Sequence, residues 1–200
     1  MTLQNALVHR DRVYLWTDEG YFDAQSGDLL FLAPKAVKCQ WPPFAVSTSS
    51  TGGDPQAILA AIAEAAPVDL PSLLSAISSA LRAHADKEHI ASALIAYCED
   101  EPRLFFASTV EAHGEPPFEP FEILHWLCTG NTLPAYAEAV ALGFTPERMG
   151  AVIDGQLAAP CAGEGAMAAH GERLWFGGGV VQIEVSRSGV KERVIRMVER

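Results

Sequence analysis

Cysteine is scarce in this chain of 200 residues, which contains only four. The four are widely and unevenly spaced and include no Cys-x-x-Cys pair: Cys39, Cys98, Cys128 and Cys161. The sequence therefore predicts neither a zinc site nor a disulfide framework, and we expect no metal and no cofactor. Reduced, mostly buried thiols are typical of a cytoplasmic protein, which is the location we expect.

Basic residues are also few, since Lys and Arg total 14 against 25 Asp and Glu, which gives a net charge of −11. Such an acidic chain is repelled by phosphate backbones and anionic lipid, so nucleic acid and membrane surfaces are not expected partners. Long apolar runs are missing as well, because the run at residues 58–63 ends at Glu64, far short of a bilayer span. Residues 1–12 contain no apolar core of the kind that a secretory signal needs.

The apolar content of the chain is high enough for a folded core. Hydrophobic residues make up 49 % of the sequence and charged residues 20 %, which is typical of a globular protein rather than a disordered one. Two hundred residues fit one ordinary domain, so we expect residues 1–200 to form a single domain.

Apolar periodicity and turn signals predict five blocks in the order strands, two helices, strands, two helices, strands. The predicted helices begin at Asp54-Pro55, Pro71, Pro134 and Thr145. The predicted strands cover residues 6–9, 13–17, 35–39, 44–48, 90–98, 103–110, 121–128, 174–176, 180–185 and 190–198. Strands and helices do not alternate one by one, so antiparallel sheets stacked between helix pairs fit better than a doubly wound parallel sheet.

Three polar residues near the start of the chain suggest a specific chemistry. Thr2 becomes N-terminal once Met1 is removed, and an N-terminal Thr supplies both a nucleophilic hydroxyl and a free α-amine as its base. Such an amine has a pKa near about 7.7–8.0, and a neighbouring Lys ammonium lowers it by like-charge repulsion. Lys35 and Asp18 lie at early strand ends, where Lys35 would tune the amine and Asp18 would hold the lysine.

The same residues carry a resemblance to a known family. Residues 13–20 resemble the second strand of proteasome β-type N-terminal-nucleophile hydrolases, and Asp18 follows Thr2 by sixteen positions, the family's separation between aspartate and nucleophilic threonine. Lys35 matches the family's catalytic lysine with a displacement of one residue. The bacterial form, the peptidase subunit of the two-component ATP-dependent protease, is the closest comparison.

Later stretches extend the resemblance over nearly the whole chain. Residues 47–53 resemble the family's glycine-rich strand end, where Ser49 replaces the oxyanion glycine and would offer its backbone N–H. Thr129-Gly130-Asn131 resembles the serine-glycine-serine turn, so Thr129 is counted with the catalytic residues. Residues 177–179 resemble the glycine turn before the late strand, whereas the family's late aspartate has no clear match.

The resemblance implies an α+β fold, a four-layer αββα sandwich with two stacked antiparallel sheets and helix pairs outside. It also implies a threonine-type amide hydrolase, most simply a peptidase, which acts on peptides or amides as a ring or a smaller homo-oligomer. A possible ATPase partner stays unidentified. The alternative is a non-catalytic structural or interaction subunit of the same fold, and a third option is an amidase for small molecules.

Three further patterns could suggest a catalytic or binding role, but each has a simpler structural interpretation. His84 and His89 lie five positions apart and do not share a helix face, so a solvated helix end is favoured over a metal site. His125 and Cys128 are better interpreted as packing residues than as a nucleophile pair. The glycines at 177–179 are not followed by the helix start and Lys of a phosphate-binding loop.

Overall fold

A computed structural model of the protein describes residues 3–23, 28–51, 54–84, 89–128, 134–158 and 176–198. Its strands are β1 (Gln4–His9), β2 (Arg12–Asp18), β3 (Gly20–Phe22), β4 (Leu29–Leu32), β5 (Ala36–Cys39), β6 (Phe44–Ser50), β7 (Ala91–Cys98), β8 (Pro102–Ser108), β9 (Phe121–Ile123), β10 (Trp126–Cys128), β11 (Gly178–Ser186) and β12 (Gly189–Val198). Its helices are α1 (Pro55–Glu64), α2 (Leu70–His84), α3 (Pro134–Leu142) and α4 (Pro146–Ala158).

Two antiparallel sheets of five strands form the middle of the molecule. The first sheet has the order β10–β1–β2–β11–β12, and the second has the order β5–β6–β7–β8–β9. β3 and β4 form a separate two-stranded hairpin. Every pairing among the described strands is antiparallel, as the order of elements predicted.

Three apolar clusters separate four layers. The cluster between the two sheets includes Ala6, Leu15, Leu94, Leu104 and Ile183. α1 and α2 cover the outer face of the second sheet through a cluster that includes Val46, Ile62, Leu73, Ile77 and Ile95. α3 and α4 cover the outer face of the first sheet through a cluster that includes Leu7, Trp16, Ala139, Met149 and Val152. The predicted α+β class and the αββα sandwich are therefore confirmed.

Side-chain alternation along β1 divides its residues between two environments. Successive side chains of a strand point to opposite faces of the sheet. Gln4 and Ala6 therefore face the second sheet, where Gln4 bonds to Ser47 and Ala6 joins the inter-sheet cluster. Asn5 and Leu7 face the helices, where Asn5 bonds to Gln156 and Leu7 joins the α3–α4 cluster. This division places two polar side chains in the interior, one on each face.

Local capping explains where the best-defined helices begin. Asp54 caps α1, since its Oδ1 accepts the backbone N–H of Gln56 at 3.0 Å and of Ala57 at 3.2 Å, and Pro55 fits the first helical turn. Thr145 caps α4, since its Oγ1 accepts the N–H of Arg148 at 3.3 Å. None of the helices in the described ranges is long and apolar enough to cross a membrane.

Two strand predictions need correction. The predicted strand at residues 121–128 is two strands in different sheets, because β9 pairs with β8 whereas β10 pairs with β1. The chain leaves one sheet and enters the other at the exposed Leu124, and the His125 carbonyl accepts the N–H of Val8. The predicted strand at residues 174–176 lies mostly outside the described residues, and Phe176 is not part of a strand.

Candidate active site

The strongest candidate site is a buried ion pair between Asp18 and Lys35. Asp18 is the last residue of β2 and is fully buried, and Lys35 directly precedes β5 and is 3 % exposed. The Lys35 Nζ lies 2.9 Å from Asp18 Oδ1. Burying two opposite charges costs several kcal/mol of desolvation per ion, so such a pair is weak evidence for stability and points to a function.

The Asp18 carboxylate holds four segments of the chain together. Its Oδ1 accepts both the Lys35 ammonium and the backbone N–H of Leu3, which lies 3.0 Å away. Its Oδ2 accepts the N–H groups of Gly20 at 3.2 Å and Gly177 at 3.3 Å. The start of β1, the start of β3, the approach to β5 and the approach to β11 therefore converge on one carboxylate.

Burial and pairing act in opposite directions on both charges. Burial raises the pKa of Asp18, and the Lys35 ammonium and the N–H groups of Leu3 and Gly177 oppose that rise. Burial lowers the pKa of Lys35, and the Asp18 carboxylate opposes that fall. Burial thus favours the neutral form of each group, and the contact between the two groups favours the charged forms.

Aromatic and amide groups fix the Lys35 side chain in place. The ammonium lies 5.1 Å from the centre of the Tyr21 ring, which stacks on Phe31 at 4.6 Å between centroids. Gln56, on α1, donates both to the Tyr21 hydroxyl and, at 2.7 Å, to the carbonyl of Pro34. Burial raises the pKa of Tyr21 to about 12, so this phenol is neutral near pH 7.

Ser49 lies in β6, next to a residue whose backbone is hydrogen-bonded to the backbone of Lys35. The amide of Thr48 donates to the Lys35 carbonyl at 3.1 Å, and Ser49 is the next residue. Ser49 is 9 % exposed and stands opposite Ser92 of β7 in the sheet register. Its backbone is therefore joined through one residue to the segment that carries Lys35.

The structure thus brings Asp18 and Lys35 into direct contact and places Ser49 on the neighbouring strand. The two other predicted site residues, Thr2 and Thr129, lie outside the described residues. Their roles remain predictions.

Sequence analysis did not identify several polar residues that complete this region. Tyr21 and Gln56 were missed because nothing in their local sequence marks them, since they meet only through the fold. Gln4 carries a weak signal in the sequence. It shares the inward face of its strand with Ala6, where a polar side chain is unusual and needs a hydrogen-bond partner.

A cavity of about 310 Å³ lies beside Lys35, between β5 and the β11–β12 edge of the first sheet. Its apolar walls include Pro34, Ala36, Val181 and Ile183, and its polar lining includes Thr17 and Glu19. Volumes of this size are at the small end of ligand pockets. Lys35 of the buried ion pair therefore lines a partly open cavity that is large enough for a small chemical group.

The glycines at 177–179 are explained by close packing. The Gly177 N–H reaches Asp18, and the Gly179 N–H donates to Glu19 Oε2 at 2.8 Å. A Cβ at position 178 would come within 2.7 Å of the Leu32 side chain. The φ of Gly178 is +70°, a backbone conformation that residues other than glycine rarely adopt. These glycines allow the chain to approach β2 and the hairpin closely, which agrees with the sequence argument against a phosphate-binding loop.

Cys128 is not equipped to act as a nucleophile. Its Sγ accepts Gln156 Nε2 at 3.4 Å, and burial raises its pKa to about 12. The thiolate, which is the reactive form, is therefore scarce near pH 7. Among the described residues, no group of three or more His, Cys, Asp or Glu side chains is arranged to hold a metal ion.

Comparisons with known proteins give a match in structure only. No protein-family model matches the chain, and no curated protein matches it. The solved structures that match include the Anbu (Gly-1) mutant from Hyphomicrobium sp. strain MC1, with 13 % sequence identity and a TM-score of 0.62. That match covers 98 % of this chain and 88 % of the Anbu chain.

The family placement expected from the sequence is wrong. The chain was expected to stand with the proteasome β-type hydrolases, nearest the peptidase subunit of the two-component protease, but no family model supports this and the structural match is to Anbu. The expectation rested on short stretches around residues such as Asp18 and Lys35, which are too few to define a family. At 13 % identity the match shows a shared fold and nothing finer, so the chain has a proteasome-like fold.

Proposed function

We propose that this protein is a threonine-type amide hydrolase in which Thr2, freed by removal of Met1, is the nucleophile. The observation that carries the proposal is the hydrogen bond from the Leu3 N–H to Asp18 Oδ1, the same oxygen that binds Lys35. The Leu3 nitrogen is the atom through which Thr2 is joined to the rest of the chain. A buried carboxylate–ammonium pair therefore lies within one residue of the proposed nucleophile.

The proposed reaction uses the chain's own groups at each step. The free α-amine of Thr2 takes the proton of the hydroxyl, whose oxygen attacks the substrate carbonyl and forms a tetrahedral oxyanion. A backbone N–H stabilises that oxyanion; Ser49 is the residue proposed for it, and its N–H, which points to Ser92 across the β6–β7 pairing, would have to leave the sheet ladder to do so. Collapse of the intermediate breaks the C–N bond as the protonated amine of Thr2 returns its proton to the leaving nitrogen. Water then releases the acyl group from the threonine.

Lys35 and Asp18 have supporting roles in this scheme. The Lys35 ammonium lowers the pKa of the Thr2 amine by like-charge repulsion, which keeps the amine available as a base near neutral pH. Asp18 holds Lys35 in place and compensates its charge in the interior. Thr129 is retained as a further hydroxyl of the site, on the basis of the sequence alone.

Mass spectrometry of the purified protein tests the first requirement. We expect an intact mass that is short by one methionine, and we expect a threonine-reactive electrophile to add once, on the peptide that begins with Thr2. Thr2→Ala should abolish the adduct, whereas Thr145→Ala, which removes a hydroxyl at the α4 cap, should preserve it. A retained Met1 in protein from a cell that processes N-termini, or an adduct that survives Thr2→Ala, would exclude the proposal.

A second candidate function, a non-catalytic interaction subunit, is favoured by the surface of β4. Its four residues Leu29–Leu32 are all apolar, and their exposed fractions are 44, 60, 50 and 52 %. Runs of exposed apolar side chains mark protein contact sites. A full-length mass with no electrophile adduct, together with a larger assembly by light scattering, would favour this function over hydrolysis.

We also propose that the protein works as a homo-oligomer, either a ring or a smaller assembly, and that its substrates are peptides or amides. The exposed β4 surface supports association, and the cavity beside Lys35 supports binding of a small group near the site. Light scattering that gives the mass of one chain would exclude the oligomer. A cytoplasmic location and an ATPase partner remain predictions that call for separate tests.

A further inference from the structure

The Lys35 ammonium is held by two chemically different partners in the described part of the chain. Asp18 Oδ1 accepts it at 2.9 Å, which completes the ion pair. The ammonium also lies over the Tyr21 ring, 5.1 Å from its centre, and cation–π attraction acts within about 6 Å. Lys35 is only 3 % exposed, and such attraction is stronger when the cation is removed from water.

The other charged side chains near Lys35 and Tyr21 are bound to partners of their own. Four of them line the cavity beside Lys35, and a fifth caps α1. Their contacts are Glu19 with the Gly179 N–H, Arg193 with Gln182, Lys38 with Glu192, and Asp54 with the N–H groups of Gln56 and Ala57. The contacts of the ammonium itself are therefore with Asp18 and the Tyr21 ring.

The attraction comes from the ring of Tyr21 and not from a charged oxygen. Burial raises the pKa of Tyr21 to about 12, so the phenol keeps its proton near pH 7. The face of an aromatic ring is negative, and a cation over it is attracted by the ring quadrupole. Phenylalanine at position 21 should therefore serve Lys35 almost as well as tyrosine, whereas an aliphatic side chain should not.

Two further contacts hold the Tyr21 ring in place. The ring stacks on Phe31, its register partner on β4, with 4.6 Å between centroids and 10° between planes. Its hydroxyl accepts the side-chain amide of Gln56, whose Nε2 also donates to the Pro34 carbonyl at 2.7 Å. Pro34 directly precedes Lys35, so Gln56 joins the ring to the segment that carries the lysine.

We propose that Tyr21 is a positioning residue for Lys35, whose ring face keeps the ammonium charged and in contact with Asp18. Tyr21 acts through Lys35 and has no chemical step of its own. The inference rests on the proposed function for its catalytic meaning, because that function assigns Lys35 to lower the pKa of the Thr2 amine. The effect of the ring on Lys35 can be measured without any reaction.

Fluorinated phenylalanines at position 21 test the ring face directly. Each fluorine withdraws electron density from the face of the ring and changes its size little, so the attraction for a cation weakens in steps. The series is phenylalanine, 4-fluorophenylalanine, 3,5-difluorophenylalanine and 3,4,5-trifluorophenylalanine. Nitrogen NMR of protein labelled in its lysine side chains follows the loss of the ammonium proton with pH.

The chain suits this measurement because it contains only four lysines. Replacing each of the other three by arginine, one at a time, assigns the Lys35 signal by elimination. We expect the acid dissociation constant of Lys35 to rise with each added fluorine. It should be roughly twofold to thirtyfold higher in Tyr21→Leu than in Tyr21→Phe, which should stay close to wild type.

Tyr14 supplies a matched control. It is also partly buried, and its ring stacks on Trp16 with 5.7 Å between centroids. Its side chain packs against the α3–α4 cluster and not against the ion pair. Tyr14→Leu therefore makes the same chemical change as Tyr21→Leu and should leave the acidity of Lys35 unchanged. The Tm of each variant is measured in parallel, and the fluorinated series carries the test if Tyr21→Leu does not fold.

Labelling of Thr2 by a threonine-reactive electrophile connects the ring to the proposed reaction. We expect Tyr21→Leu to label more slowly than Tyr14→Leu near pH 7, because an ammonium that is held less firmly acts less strongly on a neighbouring amine.

Four outcomes would overturn part or all of the inference. Equal acidity of Lys35 across the fluorinated series would remove the role of the ring while the proposed function stands. A shift in Tyr21→Phe as large as in Tyr21→Leu would assign the effect to the hydroxyl instead. Shifted acidity with unchanged labelling would remove the catalytic meaning of the contact. Wild-type protein that lacks Met1 and fails to label would overturn the proposed function, whereas the NMR result would stand.

Discussion

Two buried polar clusters each include a residue of the first sheet, and they satisfy their polar groups in different ways. The charged cluster pairs Asp18 with Lys35 at 2.9 Å and adds three backbone N–H donors. The neutral cluster joins Asn5 to Gln156 through amide hydrogen bonds of 2.8 and 3.2 Å, and Gln156 also bonds to Cys128. The first cluster contains two ionised side chains of opposite sign, whereas the second joins two amides and a thiol.

The difference favours a functional role for the charged cluster and a structural role for the neutral one. Reciprocal amide hydrogen bonds in the interior hold α4 against β1 without placing a full charge there. A buried ion pair is costlier to form, and an apolar pair of similar volume is often as stable. The charged cluster also borders the cavity and the start of β1, which are the places where a reaction would need it.

The largest expected effect is the loss of one partner of the charged cluster. Lys35→Met leaves the Asp18 carboxylate buried without its counter-ion, and we expect the free energy of unfolding to fall by about 3–5 kcal/mol. Urea denaturation followed by circular dichroism measures the loss.

The double variant Asp18→Asn/Lys35→Met is the control for this prediction. It removes both charges, so we expect it to recover at least half of the stability that Lys35→Met loses. A double variant as unstable as the single one would mean that the loss of an acceptor for the N–H groups of Leu3, Gly20 and Gly177 outweighs the removal of the unpaired charge.

The neutral cluster should respond more weakly to the loss of one member. Gln156→Met removes two buried hydrogen bonds to Asn5 and one to Cys128, and we expect a cost of roughly 1–3 kcal/mol. The same denaturation experiment applies. A loss as large as that of Lys35→Met would erase the distinction between charged and neutral burial.

The sequence predicts a feature when neighbouring residues in the chain determine it, and it fails when the feature depends on residues far apart in the chain. The blocks of strands and helices and the start of α1 at Asp54 follow from periodicity and capping, which are local signals. Asp18 and Lys35 were identified by their spacing from Thr2 and by the resemblance to the family's aspartate and lysine, together with their place at predicted strand ends. The Asn5–Gln156 pair, by contrast, joins residues 151 positions apart and leaves no mark in the sequence around either one.

The same limit explains the strand that was predicted wrongly. Residues 121–128 are apolar enough to be one strand, and only pairing with β8 on one side and β1 on the other divides them between two sheets. Gln4 shows the limit at the site itself, because its partners Ser47 and Ser92 are 43 and 88 positions away.

Alkaline pH offers a smaller probe of the neutral cluster through Cys128. Its pKa is raised from 9.0 to about 12 in the folded protein, so the thiol stabilises the fold fully below pH 9 and this contribution is lost as pH rises toward 12. Cys128→Ala lacks that titration. The stability of wild type relative to Cys128→Ala should therefore fall as the pH rises above 9, as measured by urea denaturation at stepped pH. A gap that stays constant from pH 8 to about pH 11 would show that the thiol ionises equally well in both states.

The smallest expected effect comes from a charge pair at the surface whose N–O distances are similar to that of the buried pair. Arg196 donates to both oxygens of Asp154 at 2.7 and 2.9 Å, yet both side chains are about half exposed. Solvent screens such a pair, so Asp154→Asn should cost less than about 1 kcal/mol, and the cost should shrink further in about 1 M salt, where the Debye length is only about 3 Å. Lys35→Met should keep its full cost in the same salt because its partner is sealed from water. If salt reduced both effects equally, the Asp18–Lys35 pair would behave as a solvated ion pair, and its burial would no longer support a role in catalysis.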